Sequence, residues 1–240
     1  MSIKYTEQES IDKIANDYSK ENLNKLYSQP YIKDWNGITK DSHIEYQEVF
    51  AEFILDRINN EQIPFISKSK IENYCTKGRQ NNANTDNEEK VQRDFYYGTN
   101  NRILDTQKYG KPFWFELQTG EDGDGKGIDL VYFNNQTNEI NIFELKYRNK
   151  EPLLRAVLEI QTYYQRVDWE KAFEALKNQV PPTDSSYTIT CDKFSKINKY
   201  ILLDRNSSNM FNKYTAITNS KDHSYVKDLI SLFDIKILIY

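Results

Sequence analysis

Cysteine, histidine, excess positive charge and long apolar runs are all scarce in this chain of 240 residues. Its 2 cysteines, Cys75 and Cys191, match no metal or redox spacing and are too few for a disulfide framework, so both are read as unpaired thiols. The 2 histidines, His43 and His223, have no Cys or His partner at zinc spacing, which excludes a zinc site of that kind. Lysine plus arginine number 32 against 36 acidic residues, a net charge of −4. No global basic field therefore holds nucleic acid non-specifically, and any such contact must be local. Apolar stretches reach about four to six residues, far short of the roughly 20 that a membrane helix needs. The polar start, Met1 to Tyr5, lacks the apolar core of a signal peptide, so the expected location is the cytoplasm, with no membrane partner.

What the chain does have is aromatic residues, 18 Tyr, 12 Phe and 3 Trp, which restore the buriable area that an apolar content of 38% leaves short. Thr6 and Glu9 form a capping box ahead of Ile11, Ile14, Ala15 and Tyr18 at helical spacing. Ser42 and Glu45 form a second box, predicting a helix over about 44–59 with Val49, Phe50, Phe53, Ile54 and Ile58 as its apolar stripe. Residues 1–75 are thus expected to form a helical N-terminal extension. Its Tyr27, Tyr31 and Trp35 either pack on the core or serve an interface such as a homodimer's. From Lys68 to Asn87 the chain is polar and rich in asparagine, which predicts a loop; Thr85 and Glu88 then open a short helix over about 86–97.

The texture changes at Phe113 to Gln118, which is rich in β formers. After a loop of glycines and acids, Ile128 to Phe133, a turn at Asn134 to Asn138, and Glu139 to Lys146 together predict an antiparallel hairpin. That loop, Glu121 to Gly127, lacks a glutamate at the calcium-loop distance after Asp122 and is read as a turn. Pro152 suits the first turn of a helix running to about Val167, with Leu154, Val157, Leu158, Gln161 and Tyr164 on one face. Asp168 caps another helix through Lys177, and a strand, a helix and a final strand follow at Tyr200 to Leu203, Val226 to Phe233 and Ile235 to Tyr240. The fold class is α/β (α+β): a mixed β-sheet flanked by helices.

Glu144 and Lys146 leave the same face of their predicted strand, and the hairpin sets Asp129 across from Glu144. Two converging carboxylates suit a hard cation, Mg²⁺ or Mn²⁺, that orients water toward a phosphate. Lys146 either stabilises negative charge developing on phosphorus or, with a lowered pKa, helps activate the water. Arg148, Lys150 and Arg155 follow directly and are candidate phosphate contacts. A solvated sheet face with an ion pair worth about 0.2 to 1 kcal/mol would explain the same residues. Against that stand Val131, Ile140, Ile142, Phe143 and Leu145, among which a charge carries a desolvation cost.

At Gly127-to-Val131 and Ile142-to-Lys146 the chain resembles the PD-(D/E)XK nuclease superfamily, whose signature is an acid near a strand start and then, across a hairpin, an acid, any residue and lysine. The resemblance covers residues 86–240 and implies a restriction-endonuclease-like core. It implies metal-dependent hydrolysis of phosphodiesters, in DNA foremost with RNA not excluded, and Asp129, Glu144 and the Leu145 carbonyl as metal ligands. RecB-like branches add a glutamine and a tyrosine on the following helix, places that Gln161 and Tyr164 fill at a spacing of three where four is usual. A glutamate from an earlier helix, Glu88 or Glu52, is a further candidate acid. The extension would then help admit substrate or mediate dimerisation. The alternative is a module that keeps the fold without turnover and binds nucleic acid or a protein partner.

Overall fold

The computed structural model describes residues 5–19, 26–60, 73–75, 87–114, 116–118 and 127–240. Helix α1 (Glu7–Ser19) is opened by the predicted capping box: the Thr6 N–H donates to Glu9 Oε2 at 2.7 Å and the Glu9 N–H to Thr6 Oγ1 at 3.1 Å. A 3₁₀ turn at 26–28 leads into α2 (Pro30–Asp34), which starts on proline. Helix α3 (Tyr46–Asn59) begins two residues later than expected, because Ser42 Oγ pairs with Thr39 Oγ1 at 2.7 Å and Ile38 bridges Glu45. Strand β1 (Asn73–Cys75) falls in the stretch read as loop. The remainder of that stretch up to residue 86, with Thr85, lies outside the described residues, as does the loop 121–126.

Helix α4 (Glu88–Tyr97) is capped by Asn87, whose side-chain oxygen accepts from the Lys90 N–H, and closes on Gly98 in the left-handed conformation. The strand expected over 113–118 divides. After the short helix α5 (Thr106–Tyr109), β2 (Lys111–Phe113) joins the main sheet, while β3 (Glu116–Gln118) pairs antiparallel with β1. Between α5 and β2, Gly110 has φ +86° and an added Cβ would meet the Phe133 carbonyl oxygen at 1.8 Å, so only glycine lets the chain pass there.

The predicted hairpin forms as β4 (Leu130–Asn134) and β5 (Glu139–Lys146), in a register that pairs Leu130 with Phe143. Helices α6 (Leu153–Arg166) and α7 (Trp169–Lys177) lead to β6 (Lys196–Leu203); α8 (Ser208–Asn219) and α9 (Tyr225–Leu232) lead to β7 (Ile235–Ile239). The five-stranded sheet has the order β2-β4-β5-β6-β7, antiparallel from β2 to β5 and parallel from β5 to β7. Parallel neighbours need crossovers, and the helices supply them. On one face Ile140, Ile142, Ile201 and Leu203 share a core with α6, α9 and the N-terminal helices. On the other, Leu130, Tyr132, Phe143, Leu145 and Tyr200 pack with Val91 and Phe95 of α4. No helix among the described residues is long and apolar enough to cross a membrane.

The N-terminal helices are fastened to the rest by Glu48 of α3. Its carboxylate pairs with Lys213 at 2.6 Å and accepts from Ser224 Oγ at 2.7 Å and the Val226 N–H at 3.2 Å. Glu48→Ala takes the acceptor from Ser224 and Val226 and leaves Lys213 only Glu45, and it is expected to lower the unfolding free energy by about 2 kcal/mol in urea titrations. Asp234→Asn, at the exposed Lys196 pair, should stay within about 0.5 kcal/mol.

Candidate active site

The hairpin register, continued one residue past Leu130 and Phe143, sets Asp129 opposite Glu144, and the Leu145 N–H donates to Asp129 Oδ2 at 2.7 Å. Helix α4 crosses this end of both strands. Its Gln92 Nε2 donates to the Asp129 carbonyl at 2.5 Å, and Glu88 Oε2 accepts the Tyr147 N–H at 3.0 Å. After β5 the chain is held from beneath: the Asp204 N–H and Ser207 Oγ both donate to the Lys146 carbonyl, at 2.9 and 3.0 Å. Asp129, Glu144, Lys146, Leu145 and Glu88 are thereby brought together, whereas Glu52 stands apart, against Tyr225.

Lys146 is the hub. Its side chain is buried, and Nζ donates to Glu144 Oε1 at 2.5 Å and to Glu159 Oε2 at 2.9 Å. Glu159 was not singled out in the sequence. It lies on α6, 5% exposed, with the Arg155 guanidinium 3.8 Å away. The available signal was a lone acid within the apolar run Ala156 to Ile160, four residues from an arginine on one side and from Tyr163 on the other.

Four carboxylates, Asp129, Glu144, Glu159 and Glu88, thus act on one ammonium, with Arg155 at the edge. Burial pushes Asp129 up to about 7, with Glu88 and Glu159 adding to the shift and Lys146 and the Leu145 N–H opposing it. Burial, then Asp129 and Glu159, raise Glu144 well above the usual carboxylate range. Burial pushes Glu159 up as well, but Lys146 and Arg155 outweigh it and hold that carboxyl low. For Lys146, burial pulls downward and is overcome by Glu144, Glu159, Glu88 and Asp129, so the ammonium keeps its proton more tightly than a free lysine.

Gln161 and Tyr164 lie elsewhere on α6. Gln161 Oε1 accepts from Lys199 Nζ at 2.8 Å, and that ammonium sits 4.3 Å from the Tyr164 ring centre. Lys199 comes from β6, opposite Ile142 and four residues back along β5 from Lys146. Among the candidate phosphate contacts, Arg148 and Lys150 are exposed, whereas Arg155 pairs with Glu151 and faces Glu159. Tyr163, four residues after Glu159, is buried with its hydroxyl 3.3 Å from that of Tyr27. No three His, Cys, Asp or Glu side chains among the described residues form a ready metal cage. Comparison with protein-family models, with curated proteins and with solved structures finds no match.

Burial lowers the Lys199 pKa from 10.5 to about 8. Between these two values the unfolded chain keeps a proton that the folded chain has released, so this group's contribution to stability rises as pH climbs through the window. Wild type is expected to gain on Lys199→Met by on the order of 1 kcal/mol between pH 7.5 and pH 10. Equal pH dependence in the two proteins would show that Lys199 titrates as an ordinary surface lysine.

Proposed function

We propose that the chain is a divalent-metal-dependent nuclease, acting foremost on DNA, with a restriction-endonuclease-like core. The observation that carries this reading is the acidic centre around buried Lys146, where four carboxylates, two of them buried, act on one ammonium, with Arg155 at the edge between Glu151 and Glu159. The raised Asp129 and Glu144 mean that protons meet part of this excess in the metal-free chain. A divalent cation is the ligand that would replace them. Mg²⁺ and Mn²⁺ need only one or two carboxylates beside waters, so Asp129 and Glu144, with the Leu145 carbonyl, form a sufficient donor set without a third acid. The mixed sheet with helices on both faces agrees with the resemblance. Glu159 and Tyr163 have the spacing of four that Gln161 and Tyr164 lack, with a glutamate where those branches carry glutamine.

The bound cation would supply a polarised water and screen charge on the phosphate. The residues of the chain do the rest. Of the two roles open to Lys146, its raised pKa favours charge stabilisation over proton abstraction: the ammonium stays protonated and can meet negative charge growing on the phosphoryl oxygens. Glu159 keeps that ammonium charged and aimed, and Arg155 keeps Glu159 ionised. Glu88 fixes the chain just past Lys146, and Gln92 fixes the Asp129 backbone. Exposed Arg148 and Lys150 border the centre as local contacts for substrate phosphates, which a net-negative protein requires.

Plasmid and linear DNA incubated with Mg²⁺ or Mn²⁺ test the reading. Lys146→Ala should lower the cleavage rate at least about 10²-fold while Mn²⁺ affinity stays equal or improves. Glu144→Gln should weaken Mn²⁺ binding. In wild type, affinity should fall as pH drops below about 7, where the Asp129 carboxyl takes up its proton in competition with the cation. Metal binding that is independent of pH and unchanged in Glu144→Gln would favour a nuclease-fold module without turnover.

A further inference from the structure

We infer that Tyr27, supplied by the N-terminal segment, is a positioning residue of the acidic centre, and that this segment forms one wall of the site. The kinetic part of the inference rests on the nuclease reading; the geometric part does not.

Tyr27 belongs to the 3₁₀ turn between α1 and α2, 136 residues away in sequence from the tyrosine it meets. Its hydroxyl lies 3.3 Å from that of Tyr163, with ring centres 5.8 Å apart, and both side chains are buried. Tyr163 follows Glu159 by four residues on α6, so the two share a helix face. The hydroxyl pair therefore sits at the face of α6 that carries Glu159, one turn along; burial raises both phenols, with Glu159 and Glu144 adding to the shift and Arg166 opposing it at Tyr27. The turn is anchored by Leu26 on one side and by Tyr31 and Ile32 of α2 on the other, all buried in the core shared with α6.

Two hydroxyls that hydrogen-bond to one another use one of their two protons and leave the second for a further acceptor. One turn along the same face of α6, such a buried pair would limit the rotamers open to Glu159 and keep water from that side of it. Glu159 in turn aims Lys146, so the order of action runs from Tyr27 through Tyr163 and Glu159 to the ammonium. Misplacement of a group at a reacting centre costs turnover and leaves substrate affinity in place.

Full-length Tyr27→Phe, Tyr163→Phe and the double variant test this, with Tyr18→Phe as control. Tyr18 is a buried N-terminal tyrosine whose hydroxyl has no hydrogen-bond partner among the described residues. Tyr27→Phe is expected to lower kcat about three- to tenfold with KM for DNA within about twofold. It should also move the NMR resonance of the Lys146 ammonium. The double variant should be no worse than Tyr163→Phe alone, since the two act in series. Tyr18→Phe should change neither quantity. Additive losses in the double variant, or a Lys146 resonance in Tyr27→Phe identical to wild type, would overturn the inference. Should wild type cleave no DNA, the nuclease reading fails by itself. The resonance then decides: a shift in Tyr27→Phe and none in Tyr18→Phe upholds the wall, and no shift removes it.

Discussion

A protonated lysine held between a strand and a helix is the constraint on which the other features of this fold converge. Taking an ion out of water costs several kcal/mol even after relaxation, roughly what burying two leucine-sized side chains returns. Lys146 and Glu159 are both 5% exposed or less, so the cost is incurred twice, and Glu144, equally buried, avoids part of it through its raised pKa. It is offset only if each partner stands within hydrogen-bond reach. That demand fixes the β4–β5 register, since a slip of one residue would turn Glu144 and Lys146 to the opposite face. It also fixes where α6 begins. Pro152 precedes the first turn, and Glu159 must arrive beside Lys146 about two turns later.

The hairpin was legible because two independent signals agree there, alternating apolar residues and an asparagine-rich turn, and their register followed from counting back from the turn. The first capping box was legible for the same reason, since both of its hydrogen bonds are local. The second was not. Ser42 found a nearer partner in Thr39, a competition between short polar side chains that sequence spacing does not resolve. Helix α8 escaped notice because its stretch of Asn, Ser and Thr carries little apolar periodicity and buries only Met210 and Ile217. The division of 113–118 into strands of two sheets depends on partners distant in sequence.

The acidic centre was half legible. Asp129, Glu144 and Lys146 follow from strand alternation, which has a short period and little room for error. The partner on α6 depends on how deep along the helix axis each residue lies against the sheet, and periodicity gives only its angle. Gln161 shares a helix with Glu159 but reaches Lys199, four residues back along the sheet from Lys146. A residue in an apolar run that is nonetheless charged, flanked at four residues by an arginine and a tyrosine, is the pattern that marks Glu159.

The decisive question is whether the excess negative charge around Lys146 receives a cation. A crystal grown with Mn²⁺ and measured for its anomalous scattering answers this directly. One strong peak is expected between Asp129 and Glu144, within coordination distance of both carboxylates and of the Leu145 carbonyl, with Lys146 still paired to Glu159. A peak elsewhere, or none while Glu144 and Glu159 both remain on Lys146, would contradict it and leave the cluster as a buried ion network with no metal chemistry.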